Sequence, residues 1–236
     1  ERPHTMWRFA RAIEGLRDAC EALGVPVVSG NVSLYNETDG SPILPTPTVA
    51  IVGQLESPEH RVGLAFAAEG DVVAHIGPPS RGALGGSEWR TQKCGAVGGD
   101  AVGIDLGMEV RVQRAVLAMA KEGLLVSAHD ASDGGFAVAI AESCIAGGRG
   151  CRVTLPGASS IAPAARLFSE EPSRVIVSSR PADTERLREL CARNEVPFEV
   201  IGRVEGDRVV VEHILEVDVS ELAEAHHRCR EPITGT

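Results

Sequence analysis

Residues 30–38, GNVSLYNET, bring a glycine, an amide and a hydroxyl together directly after the apolar run VPVVS. Gly30 allows a bulky anion to approach the backbone, because glycine has no side chain. The amide oxygen of Asn31 is able to ligate Mg²⁺, and the hydroxyl of Ser33 is able to bond a phosphate or a substrate. This set of groups indicates a site for a metal and a nucleotide. On pattern alone, capping of a turn by Asn31 and Ser33 is the more common explanation.

A second group of residues suited to chemistry lies in SAHDASDGGFAVAI. Asp130 and Asp133 stand at the end of a strand pattern, and two glycines follow at the start of a helical pattern. Helix N-terminal N–H groups bind phosphate, and carboxylates hold the Mg²⁺ that accompanies polyphosphates. The pattern favours an anion or metal site at this strand end. The alternative is that Asp133 only caps the helix and that His129 is a structural residue.

The third group is the stretch GALGGSEW, within a glycine-rich loop over residues 78–100. Gly85 and Gly86 permit close approach of another backbone or a ligand, and Ser87 and Glu88 add polar groups. Long ordered loops often carry function, although a plain surface loop explains the pattern equally well. The sequence spells neither a Walker A loop nor a dinucleotide-binding GxGxxG after a strand.

The composition restricts the class of protein. With 236 residues, a formal net charge of −10 and 43% hydrophobic residues, we expect a globular protein with no nucleic-acid or anionic-membrane footprint. The six cysteines include no CxxC pair, so we expect reduced thiols that pack as small apolar residues. No run approaches the roughly 18 apolar residues of a membrane helix, and no signal segment opens the sequence. We therefore expect a cytoplasmic location.

The elements that must position GNVSLYNET lie in the first 56 residues. Apolar residues at helical spacing predict an amphipathic helix that Gly24 and Pro26 terminate. Strands are predicted over 25–29 and 48–55, with the polar stretch as the turn between them. Because the helix needs a larger sheet to cover, we expect this segment to be the tail of an N-terminal-type α/β domain whose larger part lies upstream.

Strand and helix patterns alternate from about residue 67, which predicts an α/β or α+β sandwich with a mostly helical cover. GDR at 206–208 predicts a hairpin turn between the last two strands, and Ser220 is predicted to cap a C-terminal helix. The predicted strands are 71–77, 124–130, 151–155, 174–179, 198–204 and 208–214, and the predicted helices are 107–122, 136–148, about 161–168 and 182–194.

Taken in order, three stretches resemble one family. PVVSGNVSLYNET…PILPTPTVAIVG, LGGSEW and SAHDASDGGFAVAIAE are similar to the C-terminal part of phosphoribosylformylglycinamidine synthase, in its smaller bacterial and archaeal synthetase subunit. The last stretch is shared more loosely with the aminoimidazole ribonucleotide (AIR) synthetase superfamily. Since that subunit is a tandem duplication, the resemblance implies that residues 1–56 end its second N-terminal-type domain, here incomplete. Residues 67–236 would form its second C-terminal-type domain.

The resemblance implies an ATP-dependent C–N ligase of de novo purine biosynthesis. Its substrates are formylglycinamide ribonucleotide, ATP and ammonia from glutamine; ATP phosphorylates the amide oxygen, and ammonia then displaces phosphate to give the amidine. By motif, Gly30 would contact ATP, Asn31 would ligate Mg²⁺ and Ser33 would contact the ribonucleotide. Phosphoryl transfer depends on positioning and charge neutralisation, which agrees with the oxygen ligands of this stretch.

The same resemblance limits what the chain does alone. The family's catalytic histidine and most ATP and Mg²⁺ ligands lie in the first N-terminal-type domain, so no catalytic residue is assigned here and the chain alone is expected to be inactive. Asp130 and Ser132 are implied to contact nucleotide and Mg²⁺ in an auxiliary site, where Pro172 departs from the family's pattern. The implied partners are a glutaminase subunit and a small accessory subunit, and an exposed sheet edge could pair with a second copy.

Two alternatives from other classes stay open. Another ATP-dependent superfamily member, such as a relative of selenophosphate synthetase or thiamine-monophosphate kinase, would share the C-terminal-type fold, although GNVSLYNET argues against it. The chain could instead be a non-catalytic docking module. Turnover of the complete gene product with each substrate would separate these alternatives.

Overall fold

The computed structural model describes residues 2–44 and 46–230, without the side chains of Cys229 and Arg230. The chain divides into two compact units between Leu55 and Glu56. The first unit begins with helix α1 (Pro3–Leu23), which Gly24 ends in a left-handed conformation, with its N–H directed at Cys20 O and Glu21 O. The predicted amphipathic helix and its glycine stop are therefore confirmed.

The predicted strands at 25–29 and 48–55 are wrong. The described residues there have no regular secondary structure, and Val28 and Val52 are 93% and 98% exposed. An apolar stretch becomes a strand only when a neighbouring backbone accepts its hydrogen bonds. In the described part of this unit the pairing is limited to a hairpin of two-residue strands, β1 (Glu37–Thr38) and β2 (Ser41–Pro42).

The chain reverses after the polar stretch, not within it as predicted. Asp39 and Gly40 form the two-residue turn between β1 and β2, with φ of 50° and 77°. Two consecutive positive φ values are those of a type I′ turn, for which Asp-Gly is a preferred sequence. The Asp-Gly pair was the signal in the sequence that could have located this turn.

The second unit is built on a seven-stranded sheet in the order β4-β6-β3-β7-β5-β8-β9. All neighbouring strands are antiparallel except β5 and β8, which are parallel. The strands are β3 (Val72–Ile76), β4 (Leu125–Asp130), β5 (Cys151–Val153), β6 (Val175–Ser179), β7 (Phe198–Val204), β8 (Arg208–Val211) and β9 (Leu215–Asp218). The helices are α2 (Glu88–Cys94), α3 (Leu106–Lys121), α4 (Gly135–Gly147), α5 (Pro163–Phe168), α6 (Thr184–Arg193) and α7 (Val219–Arg230).

Helices cover both faces of this sheet, so the predicted αβ sandwich is confirmed. Successive residues of a strand point to opposite faces, and in β3 Val73 joins one core whereas Ala74 and Ile76 join the other. The first core contains Phe136 of α4 together with residues of α5 and α7. The second contains Met119 of α3 together with residues of α6.

Two local predictions in this unit are wrong, and two elements were missed. The sequence 206–208 does not join a hairpin, because β5 lies between β7 and β8 and pairs with both. The hairpin partner of β8 is β9, a strand that the sequence analysis missed. Helix α7 begins at Val219, so Ser220 lies inside its first turn and does not cap it. The short helix α2 within the glycine-rich loop was also missed.

The described cysteines are free thiols. Cys144 and Cys151 are buried with their Sγ atoms 3.6 Å apart, and this contact together with burial raises the pKa of Cys144. Burial also raises the pKa of Cys191 to about 11. These three pack as the small apolar residues that were predicted, whereas Cys94 is exposed and Cys20 half-buried. The side chain of Cys229 lies outside the described residues.

Among the described residues, no helix is both long enough and apolar enough to cross a membrane.

Buried His75 gives the stability of the second unit a pH dependence. Its ring is 2% exposed, and burial, with a smaller contribution from the charge of Arg174, lowers its pKa from 6.5 to about 3. Because the folded state holds this ring neutral, its contribution is complete above about pH 6.5 and is lost as the pH falls toward 3. When the pH falls from 7.5 to 5, we expect the unfolding free energy of His75→Leu to decrease by roughly 2 kcal/mol less than that of wild type.

Urea unfolding at several pH values measures this difference. His213→Asn is the matched control, because His213 lies on an exposed turn at φ 62°, a conformation that asparagine tolerates. Parallel pH profiles for wild type and His75→Leu would contradict the assignment.

Candidate functional site

The segment from Gly30 to Ser33 is exposed and has no regular secondary structure. The nearest described backbone hydrogen bond runs from Ile43 N to Asn36 O at 3.2 Å. Among the described residues, no side-chain hydrogen bond engages Asn31 or Ser33. Their oxygen atoms are therefore available to an external ligand, and the turn-capping alternative has no supporting contact in this structure.

The donor set of this segment fits a hard cation only in part. The amide oxygen of Asn31 is a ligand type that Mg²⁺ accepts, and Mg²⁺ usually completes its shell with water and substrate phosphates. Within residues 2–44 and 46–230, no group of three His, Cys, Asp or Glu side chains is arranged to hold a metal. This unit would accordingly supply one neutral ligand to a metal that other groups also hold.

Asp130 and Ser132 lie together at the end of β4 in the second unit. Ser132 Oγ donates a hydrogen bond to Asp130 Oδ2, and this bond is the main cause that lowers the pKa of Asp130. The Asp130 side chain is 68% exposed, and its other oxygen, Oδ1, lies 3.6 Å from His129 Nδ1. The carboxylate is therefore able to accept a cation from solvent.

Both ring nitrogens of His129 face carboxylates, which agrees with the structural alternative for this residue. Its Nε2 lies 2.7 Å from Glu142 Oε2 on α4, and its Nδ1 lies 3.6 Å from Asp130 Oδ1. The imidazole thus connects the end of β4 to the helix that covers it.

The two glycines after Asp133 allow a close approach of α4 to the rest of the unit. Gly134, not Asp133, is the N-cap residue, and its φ of 75° is left-handed. A Cβ on Gly135 would lie 2.4 Å from Ser169 O, which is closer than real Cβ contacts. Helix α4 therefore begins directly against the segment that follows α5.

A carboxylate on that segment, Glu170, joins the second and third motifs. Its Oε1 accepts a hydrogen bond from Gly134 N at 2.8 Å and another from Glu88 N at 2.9 Å. Glu170 was not among the residues predicted from the sequence, and Pro172 was the residue singled out in this part of the chain. Adjacent Glu residues directly after a helical pattern were the available signal, but their partners are distant in sequence.

Buried polar contacts hold the chain on either side of Glu170. Ser169 O accepts a hydrogen bond from Arg174 Nη2, and the Glu171 carboxylate accepts the Arg81 N–H at 2.9 Å. Ser169 and Ser80 hydroxyls lie 2.7 Å apart. Burial acts to raise the pKa of Glu171, but the hydrogen bonds it accepts and the charge of Arg174 outweigh burial and lower it.

The glycine-rich loop is ordered by its own close contacts. A Cβ on Gly85 would lie 1.8 Å from Asp100 O, and Gly86 N donates to Gly98 O at 2.9 Å. Buried Ser87 caps α2 by accepting the Arg90 N–H at 3.3 Å. Trp89 stacks on Phe168 with ring centroids 6.4 Å apart. These contacts pack one part of the loop against the unit, whereas residues 92–97 are exposed, as the surface-loop explanation expects.

Both units match known protein families. Residues 68–214 match the family described as AIR synthase related protein, C-terminal domain, and residues 1–55 match the corresponding N-terminal domain family.

Curated relatives match across both units. The chain is 44% identical over 229 residues to the phosphoribosylformylglycinamidine synthase subunit PurL of Thermobifida fusca, covering 96% of this chain and 29% of that protein. It is also 44% identical over 235 residues to PurL of Anaeromyxobacter dehalogenans, covering 95% and 31%. The chain thus spans less than a third of the length of these relatives.

Solved structures of a further PurL are similar in fold. The T. maritima PurL complexed with FGAR matches with a TM-score of 0.61 at 26% identity, over 70% of this chain and 30% of that one. The T. maritima PurL complexed with ATP matches with a TM-score of 0.56 at 25% identity, over 70% and 28%.

Proposed function

The chain belongs to the AIR synthase related protein family, and we infer that it is part of the synthetase subunit of a phosphoribosylformylglycinamidine synthase. The activity is the ATP-dependent amidation of formylglycinamide ribonucleotide in purine biosynthesis, which makes the parent protein a C–N ligase. The observation that carries this proposal is 44% identity to PurL over 96% of the chain.

Within this assignment, residues 1–56 are the end of the second N-terminal-type domain and residues 67–236 are the second C-terminal-type domain. The family matches at 1–55 and 68–214 support the two domain types. The division of the chain between Leu55 and Glu56 supports a boundary near the same position.

Gly30, Asn31 and Ser33 are the proposed contacts to ATP, Mg²⁺ and the ribonucleotide. Their exposure supports these roles, as do the complexes that T. maritima PurL forms with ATP and with FGAR. Asn31 would ligate the metal through its amide oxygen, and bound Mg²⁺ would neutralise phosphate charge. Gly30 would admit the nucleotide close to the backbone, and the Ser33 hydroxyl would orient the acceptor.

Asp130 and Ser132 are proposed as an auxiliary, non-catalytic site for a nucleotide and its metal. The exposed carboxylate with a lowered pKa supports the cation part of this proposal. A glutaminase subunit and a small accessory subunit are the proposed protein partners, in keeping with the word "subunit" in the names of the relatives. A homodimer and a cytoplasmic location complete the proposal.

The test is a coupled assay of the complete protein that contains this sequence. With formylglycinamide ribonucleotide, MgATP and ammonium, we expect one ADP for each amidine formed. Selenide and thiamine monophosphate should support no consumption of ATP beyond background, whereas ATP consumption with either one alone would replace the proposal by the corresponding kinase-like activity. The 236-residue chain assayed alone should be inactive, since it spans less than a third of PurL. Turnover by this chain alone would contradict the expectation that the catalytic histidine and most ATP and Mg²⁺ ligands lie in another domain. A complete protein that fails with all three acceptors would favour the docking-module alternative.

A further inference from the structure

One oxygen atom of Glu170 receives backbone N–H groups from two different helix starts. Gly134 is the N-cap residue of α4, and Glu88 is the first residue of α2. Their N–H groups donate to the same Oε1 at 2.8 Å and 2.9 Å. The carboxylate therefore bridges two segments that are far apart in the sequence.

A negative charge at this position replaces the anion that a helix start would accept from solvent. The first N–H groups of a helix have no partner within the helix, and the helix dipole favours an anion beside them. Helix α4 extends over 13 residues and has no side-chain cap of its own. Glu170 accepts a charge-assisted hydrogen bond from the N–H of Gly134, which would otherwise need an external acceptor.

The position of Glu170 is fixed by its neighbours in the chain. Ser169 is fully buried and Glu171 is 4% exposed, and both are held by the contacts to Arg174 and Arg81 described above. Gly135 packs directly on Ser169 O. Because the backbone on both sides is anchored, only the side-chain rotamers of Glu170 must be ordered to present the carboxylate to the two N–H groups.

We propose that Glu170 is an internal anion that ties the glycine-rich loop, residues 78–100, to the start of α4 and keeps this helix N-terminus closed to phosphate. The proposal bears on the proposed function because it restricts the auxiliary site. A nucleotide at Asp130 and Ser132 would be held through a cation on the carboxylate of Asp130 and not through the N-terminus of α4.

Hydrogen exchange of the full 236-residue chain, followed by mass spectrometry of peptides, tests the tie directly. In Glu170→Ala we expect peptides covering 84–95 and 131–137 both to exchange about tenfold faster, equivalent to about 1.4 kcal/mol of opening free energy. Glu170→Gln keeps an acceptor oxygen without the charge, so its exchange should be intermediate. Peptides from β3 should not change, which separates local opening from global unfolding.

Asp133→Asn is the matched control, because it removes one negative charge from the exposed turn directly before Gly134 and leaves Glu170 in place. It should exchange like wild type. If Glu170→Ala does not fold, Glu170→Gln decides by the same criterion that both segments accelerate together. Unchanged exchange, or acceleration of only one segment, would overturn the bridge.

Inorganic phosphate tests the closure. Millimolar phosphate added to wild type should leave exchange of 131–137 unaltered, because the N–H of Gly134 is already engaged. Slower exchange of this segment with phosphate would overturn the closure. Neither measurement uses substrate or turnover, so a negative result here is distinct from failure of the proposed synthase activity.

Discussion

Replacing Asn31 with alanine should lower kcat/KM of the complete synthase by roughly a hundredfold or more at saturating Mg²⁺. In the proposed function, the Asn31 amide oxygen is a metal ligand, and a methyl group cannot substitute for it. The side chain makes no described hydrogen bond within the chain and is exposed, so its removal should leave stability within about 0.5 kcal/mol of wild type. Steady-state kinetics across a Mg²⁺ titration measures the effect.

Asn36→Ala is the control for this experiment. Asn36 lies in the same polar stretch and is equally exposed, and its described hydrogen bond uses the backbone carbonyl, which alanine retains. It should keep near-wild-type kinetics. An Asn31→Ala enzyme with unchanged kcat/KM and unchanged Mg²⁺ dependence would show that the metal is held without this residue.

Gly202→Ala should destabilise the second unit by roughly 3 kcal/mol. A Cβ at this position in β7 would lie 2.0 Å from Arg152 O and 2.8 Å from Val153 Cα. Both obstructing atoms are backbone atoms of β5, so relief requires that β5 and β7 move apart and weaken the pairing between them. Urea unfolding followed by circular dichroism measures the loss.

The control for the glycine experiment is Gly103→Ala. A Cβ there meets nothing within 4 Å and the backbone has no positive φ, so alanine should be neutral or slightly stabilising. A Gly202→Ala protein within about 1 kcal/mol of wild type would mean that the two strands separate readily. The close approach of Gly202 in β7 to the backbone of β5 would then not limit stability.

The sequence predicted the second unit well wherever the pattern was local. Strand β6 and helix α3 were predicted within about a residue at each end, because apolar periodicity is set by the two faces that each element buries. Strand order was not predictable in the same way. The hairpin at 206–208 was inferred from proximity in sequence, whereas β5 pairs there because Gly150 and Gly202 leave room for its backbone.

The candidate site shows the same division. Asp130, Asp133 and the two glycines after it were recognisable from the pattern, because strand ends followed by glycine are typical of ligand sites, whereas Ser132 was implied only by the family resemblance. Glu170 was not recognisable, since its two donors, Gly134 and Glu88, precede it by 36 and 82 residues. The strands expected at 25–29 and 48–55 failed for a related reason: an apolar run specifies burial, and only a partner backbone specifies a strand.

The position of β5 in the sheet has a consequence for folding during translation. Cys151 stands level with Val204 on one side and with Val209 on the other, so the gap that receives β5 exists only after both later strands have formed. On the ribosome, β5 therefore emerges before its partner strands β7 and β8, and its apolar residues are exposed in the nascent chain until those strands are synthesised. Closure of this end of the sheet is a non-local event, and slow translation between Val153 and Phe198 would prolong the interval in which β5 is unpaired.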